Sequence, residues 1–272
     1  MGNGHDAVHD FYQNRYSENE RMQRQPLEFF RCKDIIARHL TSDGMTIADI
    51  GGATGVFSYW LAQMGHHVHL LDYTPLHIEQ ARENGKKHNL ALSSYTCADA
   101  RRVPYPDKLF DLVLEMGPLY HLQTKADRIA CLTEAMRTLK DGGTVICEAI
   151  SRYANLFEGF QGNLIEDEKF VAILNENLKT GNHSPGDAPY FTTAYMHTPD
   201  SLVEELQQAG FQDVYVIAVE GFGFAVDVDR VFADERKKKL LLDYIRETEC
   251  NPDLMGVSGH FMAVGKKGAA SL

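Results

Sequence analysis

The stretch Asp49-Ile50-Gly51-Gly52-Ala53-Thr54-Gly55 constrains the fold more than any other part of this chain. A short apolar run, Met45 to Ile50, leads into it, and Val56, Trp60, Leu61 and Met64 follow at helical spacing. The pattern predicts a strand, a tight glycine turn and a helix. Glycine lets the backbone turn sharply without a Cβ clash. The turn brings a helix N-terminus, with its unpaired N–H groups and positive dipole end, against a ligand. A carboxylate suits that end, and Asp49, closing the strand, orders the loop or accepts from an ammonium. A ligand ending in an amino acid supplies both partners.

Two further acidic residues follow strands. The second strand, His67 to Leu71, ends at Asp72, followed by Tyr73-Thr74-Pro75 and a helical segment from Leu76. An acid there accepts from both ribose hydroxyls of a bound nucleoside. The third strand, Ser94 to Cys97, runs into Ala98-Asp99-Ala100, where Asp99 is placed to accept from an adenine amino group. A nicotinamide fold is the competing reading, and its fingerprint needs glycine at the first, third and sixth positions of the turn. Those positions hold Gly51, Ala53 and Val56. Two of the three glycines are missing, and Val56 obstructs the close helix-to-strand packing that the third one permits.

With these residues in place, the chain resembles a class I S-adenosylmethionine-dependent methyltransferase, most clearly from Thr46 to Ile150. The segment Met116-Gly117-Pro118-Leu119-Tyr120-His121-Leu122, with Arg137-Thr138-Leu139-Lys140-Asp141-Gly142-Gly143 after it, is similar to a bacterial small-molecule subgroup that carries a Gly-Pro-Leu-Tyr-His-Leu loop. The resemblance implies an α/β, Rossmann-like, doubly wound, mostly parallel seven-stranded sheet with its last strand antiparallel, an N-terminal helical lid and an inserted cap. It also implies transfer of the methyl group of S-adenosylmethionine to O, N or S of a small-molecule acceptor, releasing S-adenosylhomocysteine. The cofactor-binding residues it implies are Asp49, Gly51, Gly52, Ala53, Gly55, Asp72, Tyr73, Asp99, Ala100 and Met116, with Tyr16 from the lid. Ala53 departs from the pattern, standing where the central glycine usually lies, and Glu115 occupies a place where an apolar strand residue is expected.

The chain divides into a helical lid over residues 1–40, a cofactor-binding core over 41–150, an acceptor-site cap over 151–197 and the completion of the core, with a helical insertion, over 198–272. Helices are expected over Asp6 to Asn19 and Leu27 to Leu40, with Pro26 opening the second. Tyr12, Tyr16 and Arg21 either form the lid or belong to a simple packing helix. Strands four and five are expected over Phe110 to Leu114 and Thr144 to Ala149, separated by a helix from Lys125 to Leu139. The cap, rich in glycine and aromatic residues, is read as a long functional loop with one helix near Glu166 to Leu178. A helix from Pro199 to Ala209, a strand over Val214 to Val219, a helical insertion over Val226 to Glu249 and a strand over Gly259 to Val264 complete the core.

Methyl transfer is an in-line displacement at an activated carbon, so few catalytic groups are needed. His121 is the first candidate for orienting or deprotonating an acceptor, and the competing reading makes it a support for its loop. Tyr120 either contacts the sulfonium region through its ring face or simply packs. Glu115, at the end of an apolar strand, needs a partner because an unpaired buried carboxylate is costly. The candidates are a ligand, a lid residue or a basic side chain from the N-terminal region. Glu148 has the same ambiguity. The run His66-His67-Val68-His69 leaves only His67 and His69 on one strand face, so no metal is expected. Arg236-Lys237-Lys238-Lys239, flanked by Asp234, Glu235 and Asp243, reads as a solvated helix face with ion pairs. Aromatic residues of the cap, Phe157, Phe160, Tyr190, Phe191 and Tyr195 among them, suit either a small acceptor's pocket or the cap's own core.

A formal charge of -11 disfavours a polyanionic partner, so nucleic acid is not expected as substrate. The five cysteines lack metal-ligand spacing and their odd number fits no complete disulfide framework, which suits a reducing cytoplasm. No signal-peptide pattern opens the sequence and no apolar run is long enough for a bilayer, so neither secretion nor membrane attachment is expected. A homodimer is an open assembly. Two other functions stay open at this level: a NAD-dependent oxidoreductase, and a catalytically inactive, S-adenosylmethionine-binding regulatory subunit.

Overall fold

Strand and helix alternate through the first half of the chain in the computed structural model, which describes residues 25–186 and 188–269. Helix α1 (Pro26–Ala37) opens on proline, whose fixed φ and missing N–H suit a first helical turn. It is followed by β1 (Thr46–Ile50), α2 (Val56–Gln63), β2 (His67–Asp72), α3 (Pro75–His88), β3 (Ser94–Cys97), β4 (Phe110–Glu115), α4 (Pro118–His121), α5 (Lys125–Thr138) and β5 (Leu139–Ile150). The second half contains α6 (Ala154–Gln161), α7 (Glu168–Thr180), β6 (Asn182–His183), β7 (Ala194–Tyr195), α8 (Pro199–Gln208), β8 (Gln212–Ala218), α9 (Val228–Phe232), α10 (Glu235–Thr248), α11 (Pro252–Met255) and β9 (His260–Lys266).

Seven strands form one sheet in the order β3-β2-β1-β4-β5-β9-β8. The first five run parallel, and β9 runs antiparallel to both its neighbours, β5 and β8. This is the Rossmann-like, mostly parallel sheet with a reversed last strand that the sequence predicts. Both faces are covered, which is why β1, β2 and β4 read as nearly continuous apolar runs. On one face Ala48, Ile50 and Val113 pack with Leu132 of α5 and Leu202 and Leu206 of α8. On the other Ile47, Leu70 and Leu112 pack with Ile35 of α1, Leu61 of α2 and Ile78 of α3.

Strand register sets the functional edge. Ile50 pairs with Leu71 and with Glu115, and Glu115 pairs with Cys147, so β1, β2 and β4 end nearly level while β5 runs on to Ile150. Ile150 pairs with His260, which brings the start of reversed β9 to the same edge.

Two expectations need correcting. Strand β5 begins at Leu139 rather than Thr144, because Phe110 pairs with Leu139 and Leu112 with Thr144, leaving the glycine-containing stretch between as a bulge. The cap holds two helices, α6 and α7, and the short pair β6–β7 instead of one helix in a long loop. Asn155 of α6 donates to Asn177 of α7 and lies 3.1 Å from His183 Nδ1 in β6, so a buried polar network, invisible to apolar periodicity, ties these pieces together. The expected helix from Asp6 to Asn19, with Tyr12, Tyr16 and Arg21, lies outside the described residues. Among the described residues no helix is long and apolar enough to cross a membrane.

Candidate functional site

The turn after β1 is built around three left-handed residues, Gly51 (φ 74°), Ala53 (φ 47°) and Gly55 (φ 85°). Gly51 donates its N–H to the Leu71 carbonyl at 2.7 Å, and Gly55 donates to the Gly52 carbonyl at 2.8 Å. A Cβ on Gly52 would lie 2.5 Å from Asp49 Oδ2, and one on Gly51 would lie 2.7 Å from Pro118 Cδ. The turn therefore needs glycine at both places, and it touches the Gly117-Pro118 loop after β4. Helix α2 starts at Val56 with no side-chain cap on its first N–H groups, and Val56 and Phe57 both face the cleft. Uncapped donors at a helix start are what a ligand carboxylate accepts from.

Asp49 is fully buried and accepts from Ser58 Oγ at 2.6 Å, while its other oxygen, Oδ1, has no hydrogen-bond partner among the described residues. Burial pushes its pKa up to about 6, against the hydrogen bond from Ser58. Asp72 accepts from Ala53 N–H at 2.9 Å and from Thr74 N–H at 2.8 Å, with His77 Nδ1 at 3.1 Å. The carboxylate expected to meet a ribose thus also clamps the glycine turn. Asp99, expected to meet an adenine amino group, lines the cleft and is also held by a neighbouring arginine. The Arg101 backbone N–H and guanidinium reach both its oxygens at 2.6 to 3.1 Å, which fixes the carboxylate's orientation at the cleft.

Two connected compartments lie along the carboxyl edge of the sheet. One, of about 700 Å³, is lined by Asp72, Tyr73, His77, Asp99, Ala100 and His121. The other, of about 600 Å³, is lined by Glu28, Thr54, Phe57, Met116 and Glu148. Gly51, Ala53 and Tyr120 belong to both walls. The Tyr120 hydroxyl donates to the Met116 carbonyl at 3.1 Å, so the ring stands as a fixed partition. His121 meets Tyr120 edge to face at 4.6 Å and lies near Phe191 of the cap at 5.9 Å between ring centroids.

Of the three candidate catalytic residues, Tyr120 and His121 are on the cleft and Glu115 is not among its lining residues. The Glu115 carboxyl receives the thiols of Cys131 at 3.3 Å and Cys147 at 3.9 Å, where a basic partner was one expectation. Burial pushes its pKa up to about 7. Sequence reasoning gave less weight to Glu148 and missed Glu28, both buried and both on the cleft. The histidines at 66–69 gather no metal-ligand set among the described residues. The carboxylates of Glu28 and Glu220 and the ring of His260 are the groups that converge, within 4.8 Å.

The sheet order, the glycine turn and the cleft define a class: the Rossmann-like methyltransferase fold. Residues 48–147 match the model of a methyltransferase domain. The chain is 31% identical over 180 residues to the ubiquinone biosynthesis O-methyltransferase of Cereibacter sphaeroides, covering 64% of this chain and 63% of that one. It is 27% identical over 205 residues to the ubiquinone/menaquinone biosynthesis C-methyltransferase of Cupriavidus metallidurans, covering 72% and 79% respectively. Among solved structures it is similar in fold to Haemonchus contortus phosphoethanolamine N-methyltransferase 2 in complex with S-adenosyl-L-methionine, with a TM-score of 0.62 and 15% identity over 99% of this chain and 60% of that one. The chain thus spans less than two thirds of the first of these relatives. The nicotinamide alternative is not favoured by any of these likenesses.

Proposed function

We propose that the protein transfers the methyl group of S-adenosylmethionine to O, N or S of a small-molecule acceptor. The observation that carries this is the Gly51–Gly55 turn, hinged to Asp72 and opening on the uncapped start of α2, in a chain whose residues 48–147 match a methyltransferase domain. The residues present fit the cofactor: a buried Asp49 with one unsatisfied oxygen, a glycine-only backbone approach, and an acid closing β2. Asp49, Gly51, Gly52, Ala53, Gly55 and Met116 would hold the amino-acid end, and Asp72 and Tyr73 the ribose. Asp99, oriented by Arg101, and Ala100 would meet the adenine. Bound there, the cofactor supplies a methyl carbon activated by its sulfonium. The chain's own contribution is orientation and exclusion of water: Tyr120 fixes the partition, His121 lines the nucleoside side, the cap at 151–197 is proposed to close the acceptor site, and residues 1–40, with Tyr16, are proposed as the lid.

The reading keeps a cytoplasmic setting, supported by five cysteines that form no disulfide. It excludes nucleic acid as acceptor, supported by the net charge of -11. Calorimetric titration tests it: heat on mixing with S-adenosylhomocysteine and none with NAD is expected, and the reverse overturns it.

A further inference from the structure

Strand β3 is four residues long and lies at the edge of the sheet, paired with β2. Asp99 follows its last residue by two, so the carboxylate stands beyond the ladder and needs another support. Arg101 provides it. Its backbone N–H reaches Asp99 Oδ1 at 2.9 Å, its Nε reaches Oδ1 at 3.0 Å, and its Nη2 reaches Oδ2 at 2.6 Å. The Arg102 N–H closes the turn beneath them on the Asp99 carbonyl at 3.0 Å. The far edge of the same guanidinium, Nη1, donates to Asp127 Oδ1 at 2.6 Å. Asp127 sits in the first turn of α5, where it accepts from the Thr124 hydroxyl at 2.7 Å and returns its N–H to Thr124 Oγ1 at 3.1 Å. Helix α5 is bolted to the sheet through Leu132. Asp99 thus takes its orientation, through Arg101, from a helix residue 26 positions beyond that arginine. The three side chains are 29 to 32% exposed, open enough to meet a ligand, and Asp99 lines the compartment that also holds Asp72 and Ala100. A lone ion pair at such exposure fixes little, whereas a forked contact shared by a third charge holds one geometry.

We propose that Arg101, anchored by Asp127, sets the protein's selectivity for the base of its cofactor, by holding the Asp99 carboxylate where the 6-amino group of adenine donates to it. The inference deepens the methyl-transfer reading above and rests on it. Arg101 is a positioning residue: it acts on the base through Asp99. A carboxylate accepts and does not donate, so it suits an amino group and gives nothing to a base that lacks one. An aspartate on an unsupported loop would lose rotamer freedom when the ligand arrives, and here that loss is already taken before binding. The guanidinium also offsets one of the two negative charges, Asp72 and Asp99, that line the same compartment.

The test titrates the full chain with S-adenosylhomocysteine and with its analogue in which hydrogen replaces the 6-amino group of the base. Calorimetry is expected to show the wild type binding S-adenosylhomocysteine about tenfold or more tighter than the analogue. Arg101→Ala should bring that ratio close to unity by weakening S-adenosylhomocysteine while affinity for the analogue is kept, a selective loss that a packing defect would not produce. Asp99→Ala should level the ratio too, and Arg101→Ala added to it should move the ratio no further. If Arg101→Ala does not fold, Asp127→Asn, which keeps an acceptor for Thr124 and removes the anchor's charge, should lower the ratio by about threefold. Equal binding of the two ligands by the wild type, a ratio that these substitutions leave unmoved, or an equal loss of both ligands overturns the Arg101 inference and leaves the methyl-transfer reading standing. No binding of S-adenosylhomocysteine by the wild type overturns that reading, and this inference with it.

Discussion

Ala53 donates its backbone N–H to the Asp72 carboxylate at 2.9 Å, so the turn that closes β1 is held by the residue that closes β2. The other Asp72 oxygen is held by Thr74 N–H at 2.8 Å and faces His77 at 3.1 Å. Asp72→Ala removes the hinge and the proposed ribose acceptor together. It is expected to weaken S-adenosylhomocysteine binding by about tenfold or more in calorimetric titration. An unchanged dissociation constant would take Asp72 out of the binding set.

Ala53 adopts φ 47°, a left-handed conformation in which a Cβ costs roughly 1 kcal/mol and glycine does not. Ala53→Gly is therefore expected to leave stability unchanged or raise it by up to about 1 kcal/mol, with cofactor affinity retained. Urea unfolding of the two proteins decides this, and a clear loss of stability would show that the methyl group packs against something the turn needs.

Glu115 should impose a pH dependence on folding. Burial raises its pKa from 4.5 to about 7, so the folded state holds a proton that the unfolded chain releases at lower pH. The contribution favours folding below 4.5 and is lost as pH rises toward about 7, a difference of about 3 kcal/mol by linkage. Glu115→Gln should flatten that part of the profile. Thermal melts of both proteins from pH 4.5 to 8 are the measurement, and parallel profiles would contradict the assignment.

Arg128 of α5 and Glu205 of α8 are buried together at 2.8 Å, with Tyr195 of β7 stacked 3.6 Å from the guanidinium and His197 at 3.2 Å from the carboxylate. Burial works against the Glu205 charge, but the hydrogen bonds from His197 and Arg128 outweigh it and hold the pKa down to about 2. That stability is present above the usual value of 4.5 and is lost as pH falls from there toward 2. Glu205→Gln breaks the pair and leaves a buried guanidinium short of its partner, so a loss of about 3 kcal/mol or more is expected in urea unfolding near pH 7. A loss below about 1 kcal/mol would mean that water reaches the pair.

The parallel core was legible because its signals are local. Apolar runs such as Leu112 to Leu114 and punctuation such as Tyr73-Thr74-Pro75 fall within a few residues of the elements they define. The cap was not, since α6 carries Asn155 and Gly159 on its buried face and is fixed by partners 22 to 28 residues away, which no periodicity displays. The same distance in sequence hid the site's finer chemistry. Nothing near Glu115 announces Cys131 and Cys147, and nothing near Glu148 announces Cys32 from α1. Arg101, two residues beyond Asp99, was likewise not foreseen as its partner.

Strand β9 enters the sheet from the edge at which the parallel strands leave it, so it delivers its opening residue, His260, where the others deliver their closing ones. The short connection through Ser258 and Gly259 lies along that rim of the sheet, where Gly259 accepts from the Ser151 N–H at 2.8 Å. Changes of length or side chain in that connection would retune what the rim admits while leaving the cofactor cradle on β1 and β2 untouched. The reversed strand thus offers variation a foothold beside the chemistry that the glycine turn, locked on every side, denies it.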